Sequence, residues 1–227
     1  WGYQSDGQCS SWDEIYNYET DIDGKGNSTI RPGDIKYKDL NGDKIINEHD
    51  MRPIGYSEGI PPDLNFGLNI SLNYKNFDLS CDFTGGALGT YHINYEVRNP
   101  FWDGGNTAQF ILDNQWHLKD ITDADSKLIP ASFPTAIAGN SNHSNYWVSD
   151  FWYRNVVYIK LKNLEFGYNF ATRAMANIGM DSLRLYLFSQ NLFSIDNMGL
   201  YEIDPEIASS SALAYPTTRI IGAGLKF

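Results

Sequence analysis

Asn65-Phe66-Gly67-Leu68-Asn69-Ile70-Ser71-Leu72-Asn73-Tyr74, followed at once by Lys75-Asn76 and then Phe77-Asp78-Leu79-Ser80-Cys81-Asp82-Phe83-Thr84, is the stretch on which the fold turns. Apolar and polar residues alternate through it without an error, the period-two signature of a strand with one face in an apolar medium and the other in a polar one. Two such runs joined by two residues predict an antiparallel hairpin.

The same pattern recurs outward along the chain. Ile159 and Leu161 alternate with Lys160 and Lys162, and beyond Asn163 the phase slips so that Leu164, Phe166, Tyr168 and Phe170 become the apolar set, which predicts a bulge near Asn163. Leu183, Leu185 and Leu187 alternate with Arg184, Tyr186 and Phe188, and Ile221, Ala223, Leu225 and Phe227 with glycines and Lys226. Five strands are therefore expected, at about 64–74, 77–88, 155–170, 182–192 and 217–227.

Their connections alternate in length: two residues, then a long segment at 89–154, a short turn at 171–181, and another long segment at 193–216. Loops that long are uncommon in compact soluble domains, whereas up-and-down membrane barrels have short periplasmic turns and longer extracellular loops. The aromatics Tyr74, Phe77, Tyr168, Phe170 and Phe227 all fall at the short-turn end, as an interfacial girdle would. The expected fold is all-β: an antiparallel transmembrane β-barrel segment comprising residues 64–227, with residues 1–63 an extracellular loop region. Five strands cannot close a barrel, for which about eight are needed, so the rest of the wall must come from outside this sequence. A soluble β-sandwich gives the same alternation. The Asn, Ser, Asp, Gly and Lys of the polar set and the one-sided aromatics favour the barrel.

Composition agrees. The chain has 227 residues with 15% aromatics but only 42% hydrophobic residues, and no run of eighteen apolar residues, so a membrane-spanning helix is excluded while a barrel strand of about 9–11 alternating residues is not. The net charge of −11 argues against nucleic acid as a partner. Residues 1–63 hold 13 acids and 6 bases, so most of the excess negative charge is gathered there. Cys9 and Cys81 form no CxxC motif and are expected to be unpaired. The opening Trp-Gly-Tyr follows no signal segment, and the chain is read as an internal or mature piece of a longer polypeptide.

Within the acidic region, Asp39-Leu40-Asn41-Gly42-Asp43-Lys44-Ile45-Ile46-Asn47-Glu48-His49-Asp50 has the spacing of a twelve-residue calcium loop. The candidate ligands are the side chains of Asp39, Asn41, Asp43 and Asp50 and the carbonyl of Ile45, a hard oxygen shell suited to a structural Ca2+. Lys44 stands where a glycine normally permits the turn, and Asp50 where a bidentate Glu is usual. The plainer reading is an exposed Asn-Gly-Asp turn with solvated acids. No catalytic motif accompanies the loop. His49, His92, His117 and His143 lack any ligand spacing, and neither a nucleophile elbow nor a phosphate-binding glycine loop occurs, so the chain is not read as an enzyme. Trp102, Trp116, Trp147 and Trp152 in the long 89–154 segment are the candidates for stacking on a substrate, against the alternative that they form that segment's own core.

Several strings together resemble the SusC/RagA family of TonB-linked outer-membrane transporters of Bacteroidetes. Gly33–Gly55, GDIKYKDLNGDKIINEHDMRPIG, is similar to that family's Gly-Asp-Ile-Lys-Tyr loop; Pro62–Ser80, PDLNFGLNISLNYKNFDLS, to its hairpin; Tyr158–Phe170, YIKLKNLEFGYNF, and Leu183–Ile195, LRLYLFSQNLFSI, to two of its strands. The closing Gly224-Leu225-Lys226-Phe227 resembles its carboxy-terminal assembly signal. The resemblance implies the last strands of a 22-stranded barrel in the outer membrane of a Gram-negative, Bacteroidetes-type cell. It further implies a TonB-coupled plug elsewhere in the polypeptide and a SusD-like surface lipoprotein as partner, with glycans or peptides as substrate. The competing expectation is a secreted, calcium-stabilised all-β carbohydrate-binding module.

Overall fold

The computed structural model describes residues 1–56, 62–137, 142–171, 180, 182–201, 203–206 and 217–227. In chain order its regular elements are β1 (Ser5–Gln8), α1 (Trp12–Tyr16), β2 (Ile35–Tyr37), β3 (Leu64–Tyr74), β4 (Phe77–His92), α2 (Tyr95–Arg98), α3 (Gln109–Asp113), β5 (His117–Leu118), β6 (Leu128–Ile129), β7 (Tyr153–Asn169), β8 (Arg184–Asp196) and β9 (Ile220–Lys226), with single 3-10 turns between some of them. They fall into two units, one built from residues 1–56 and 90–154, the other from 62–89, 155–206 and 217–227.

The second unit is one antiparallel sheet in the order β3-β4-β7-β8-β9, so every strand lies beside its neighbour in the chain among the sheet strands. This is a meander. The β3–β4 pairing runs without a slip from Leu64↔Ala87 to Tyr74↔Phe77, because a strand whose two faces differ in polarity cannot shift by one residue without turning all its side chains over. Lys75 supplies the left-handed φ, 54°, that the two-residue loop demands at its first position. β3, β4, β7 and β8 have 11, 16, 17 and 13 residues, enough for each to cross a hydrocarbon layer.

The register shift expected near Asn163 is found between Leu161↔Phe193 and Asn163↔Gln190. Two steps of β7 match three of β8, so the extra residue belongs to β8. There Asn191 takes φ 50°, a conformation that Asn tolerates better than most residues. Among the described residues the sheet is open, with β3 and β9 as its edges, so the structure shows a five-stranded wall and not a closed barrel. Most of the expected 171–181 turn, residues 172–179 and 181, lies outside the described residues, as do 202 and 207–216 of the expected 193–216 loop; its first four residues are the end of β8.

The first unit is irregular, and its order comes from a core. A ribbon of β1 and β2 pairs Ser5↔Tyr37 and Gln8↔Ile35, and isolated bridges join Gly2 to Arg52, Tyr3 to Ser149, Asp21 to Ile45 and Gln115 to Phe133. Cys9, Ile15, Ile22, Ile30, Ile35, Tyr37 and Ile46 are buried, and so are Ile93, Val97, Ile111, Trp116, Phe133, Tyr146 and Trp152 from the long segment between β4 and β7. That segment is thus no open loop. Its aromatics stack on one another, Phe133 lying nearly parallel to Trp152 (16°, centroids 6.2 Å) and Phe151 edge-on to Trp152 at 4.8 Å.

Candidate functional site

The sheet presents two chemically opposite faces. On one lie Phe66, Leu68, Ile70, Leu72 and Tyr74 with their β4 partners Phe83, Cys81, Leu79 and Phe77, then Phe166 and Tyr168, Leu185 and Leu187, and Leu225. Many are exposed, among them Leu72 (57%), Leu187 (57%) and Leu225 (61%). Burying each such side chain is worth roughly 1.5–3 kcal/mol, and a contiguous apolar face of this extent marks an interaction with another apolar phase. At the hairpin end the face becomes aromatic: Phe77 packs against Phe166 at 5.7 Å and Tyr168 at 4.8 Å, and Tyr168 against Phe170 at 4.9 Å.

The opposite face is polar and closely networked. Arg184 on β8 reaches over β7 to Asp78 on β4, its Nε donating to Oδ1 at 3.2 Å and its Nη2 to Oδ2, while Nη2 also meets Glu165 Oε1 at 2.6 Å. Gly167 makes this possible, since a Cβ there would stand 2.5 Å from Arg184 Nη2 and 2.6 Å from Asp78 Oδ2. Asp82 accepts from the amides of Asn69 and of Asn163, the latter at 3.0 Å. A cavity of about 310 Å³ opens on this face among Ser80, Asp82, Asn163, Glu165, Phe188 and Gln190. The carboxylates and amides around this recess can hydrogen-bond a hydroxyl- or amide-rich solute, with one aromatic ring beside them. No nucleophile–base pair is formed there.

No family model matches the chain. Curated relatives do: TonB-dependent receptor P26 of Formosa agariphila is 31% identical over 175 residues, covering 77% of this chain and 16% of the relative. The chain belongs to the TonB-dependent receptor family. TonB-dependent receptor P3 of the same organism is 27% identical over 205 residues, 86% of this chain and 19% of the relative. The chain therefore spans less than a fifth of the length of these receptors. The solved RagAB peptide importer shares the fold: its open-open state matches 99% of this chain and 21% of its own with a TM-score of 0.57 at 18% identity, and its closed-closed state 99% and 22% with 0.58 at 18%.

In this receptor segment the residues anticipated as metal ligands sit in the first unit. Asp39 accepts from the backbone N–H of Gly42 (2.6 Å) and Lys44 (2.8 Å), Asn41 from that of Asp43 and Asp43 from that of Ile45, both at 2.9 Å. Lys44 adopts φ 65° where a glycine was expected to be required. Asp50 is wholly buried and bonds the N–H groups of Leu40 (2.8 Å) and Asn47 (3.0 Å), closing a capping box on the 3-10 turn Glu48–Asp50. Among the described residues no three His, Cys, Asp or Glu side chains converge as a metal-holding group.

A second acidic loop, unnoticed in the sequence, lies beside the first, Asp21 N–H donating to the Lys44 carbonyl and Ile46 N–H to that of Asp21. Asp23 collects the N–H groups of Lys25, Asn27 and Thr29 and the Thr29 hydroxyl. Partial burial works against its charge, but these donors hold its carboxyl down at about 2. The Asp21-x-Asp23 spacing, like that of Asp39 and Asn41, was the signal that could have found it.

Of the four tryptophans considered for substrate stacking, Trp116 (6% exposed) and Trp152 (2%) are core residues with no free face for a ligand, while Trp102 and Trp147 are half-buried. Trp147 lies against Tyr3 and Tyr37. Cys9 and Cys81 are both free thiols. Burial pushes the Cys9 thiol up to about 12, so it carries little thiolate at neutral pH and is chemically quiet.

Proposed function

We propose that this chain forms part of the wall of an outer-membrane importer for large nutrients, oligosaccharides or peptides, working with a SusD-like surface lipoprotein and driven through TonB by parts of the polypeptide beyond these residues. The observation that carries the reading is the two-faced sheet: exposed Leu, Ile and Phe toward hydrocarbon, ionic and amide networks toward a wet passage, with aromatics banding one end. The kinship with TonB-dependent receptors and the RagAB fold supports it over a secreted carbohydrate-binding module. In this orientation the Tyr74–Phe77 end is periplasmic and the long connections between the strands are extracellular. The role is binding and passage, without catalysis.

Cysteines introduced into the full-length receptor, with Cys81 replaced by serine and Cys9 left in its buried place, test this. In intact outer membranes a charged, water-soluble maleimide is expected to modify Gln190→Cys on the polar face and to spare Leu187→Cys on the apolar one. Equal modification of both would refute a lipid-facing sheet.

The same reading gives the Asp39–Asp50 loop a structural calcium, held by Asp39, Asn41, Asp43 and Asp50 and the Ile45 carbonyl. The spacing supports it, and the commitment of Asp50 to two backbone N–H groups opposes it. Removing calcium with a chelator is expected to speed amide exchange across residues 39–50 several-fold. Unchanged exchange, with no calcium bound on titration, would leave the backbone N–H network as the loop's sole support.

A further inference from the structure

On β7, Lys160 is almost wholly buried, at 4% exposure, although it is an ionised side chain on a strand. A buried ammonium persists only when paired and hydrogen-bonded, because desolvation otherwise discharges it. Its partners come from a remote part of the sequence. Lys160 Nζ donates to Asp204 Oδ1 at 2.5 Å and to Glu206 Oε2 at 3.1 Å, and Lys162 Nζ, two residues along the same strand, meets the same Glu206 oxygen.

The hydroxyl of Thr84 on β4 donates to Glu206 Oε1 at 3.3 Å, that of Thr217 donates to Asp204, and the N–H of Glu206 closes back onto Asp204 Oδ1 at 3.0 Å. Two ammonium groups thus face two carboxylates, and all the carboxylate oxygens are occupied. Lys160 and Lys162 share the polar face with Thr84, so the Asp204-Pro205-Glu206 segment lies on the polar side of the sheet, the side that the proposed function turns toward a wet passage.

We propose that Asp204 and Glu206 are a charge clip that straps the β8–β9 connection down onto the polar face of the wall, with Lys160 and Lys162 as its fixed half. The clip makes residues 203–206 of that connection a fixed part of the polar lining. The dependence is mutual, since Lys160 is buried by the segment whose carboxylates neutralise it, and losing either acid strands an ammonium away from water. Met198, Tyr201 and Ile203 of the same connection are also buried, so apolar packing is the rival cause of its position.

The isosteric pair Asp204→Asn with Glu206→Gln separates the two causes. In the full-length receptor in detergent, amide exchange measured across residues 197–206 is expected to accelerate at least tenfold, while exchange within Arg184–Gln190 stays as in the parent. Unchanged exchange at 197–206 would overturn the clip in favour of apolar packing. Loss of protection in Arg184–Gln190 as well would overturn it too, by making the charges a requirement of the sheet itself.

Discussion

Gly33→Ala is expected to destabilise the first unit by about 2–5 kcal/mol, read as a loss of exchange protection and protease resistance across residues 1–56 and 93–152. Two independent costs meet at this position. Gly33 has φ +97°, a region where an L-side chain crowds the backbone at a cost of roughly 1–2 kcal/mol. The new methyl would also stand 2.6 Å from Trp116 Cγ and 2.8 Å from its Cβ, an overpacking worth about 1–3 kcal/mol.

Trp116 cannot easily yield, because its Nε1 donates to Gln8 Oε1 at 3.1 Å and its ring is buried. Nor can the backbone of Gly33, whose N–H donates to the Cys9 carbonyl at 2.7 Å and whose own carbonyl accepts from Gln8 Nε2 at 3.1 Å. Gly7→Ala is the control. It has φ +85° but nothing within 4 Å of a Cβ, so it carries the conformational cost alone and is expected to lose only about 1–2 kcal/mol. Equal losses at the two positions would mean that Trp116 gives way and that the crowding at Gly33 is of no consequence.

The sheet was legible in the sequence because its cause is local: a strand between an apolar and a polar phase alternates residue by residue, and Phe66 to Tyr74 states this openly. The slip near Asn163 was legible for the same reason. That the extra residue belongs to β8 was not, since Asn191 interrupts no pattern and only the pairing of Leu161 with Phe193 and Asn163 with Gln190 reveals it. The first unit was illegible because its core is assembled across distant stretches. Trp116 is buried against Gly33, and Asn145 against Asp34, contacts that no periodicity announces. Hence the tryptophans could be weighed as ligand contacts or as core but not decided between. The acidic loop shows a different limit: the spacing of Asp39, Asn41 and Asp43 fixes where oxygens fall along the chain, while the competing N–H groups that occupy them appear only in three dimensions. The Lys160–Asp204 clip joins residues 44 apart and had no signal at all.

Asn145→Ala is expected to cost about 2–6 kcal/mol, because Asp34 Oδ1 and the Ile35 N–H, both buried, lose their Asn145 partner at once. Asn145 is completely buried; its Nδ2 donates to Asp34 Oδ1 at 2.7 Å and its Oδ1 accepts from the Ile35 N–H at 2.9 Å. Asp34 is equally buried, and burial pushes its carboxyl above the usual range despite the Asn145 amide, the nearby His143 and the Arg31 N–H at 2.7 Å. A carboxylate already penalised by desolvation then loses a donor, and the N–H of Ile35 at the start of β2 loses its acceptor, each at about 1–3 kcal/mol.

The Asn145 backbone still serves the alanine variant, since its carbonyl accepts from Trp152 Nε1 at 2.6 Å and its N–H donates to His143 Nδ1 at 3.2 Å, so the loss is confined to the amide. The pH dependence separates the two contributions. A carboxyl whose folded pKa lies above its unfolded value costs stability at high pH, a cost relieved as pH falls through the folded pKa. Removing the Asn145 amide raises that pKa further, so the deficit of Asn145→Ala is expected to shrink on acidification, leaving the Ile35 share behind. Asp34→Asn removes the charge and is expected to abolish this pH dependence. A deficit in Asn145→Ala that stays constant from neutral to acid pH would place the whole cost on the Ile35 N–H and none on Asp34.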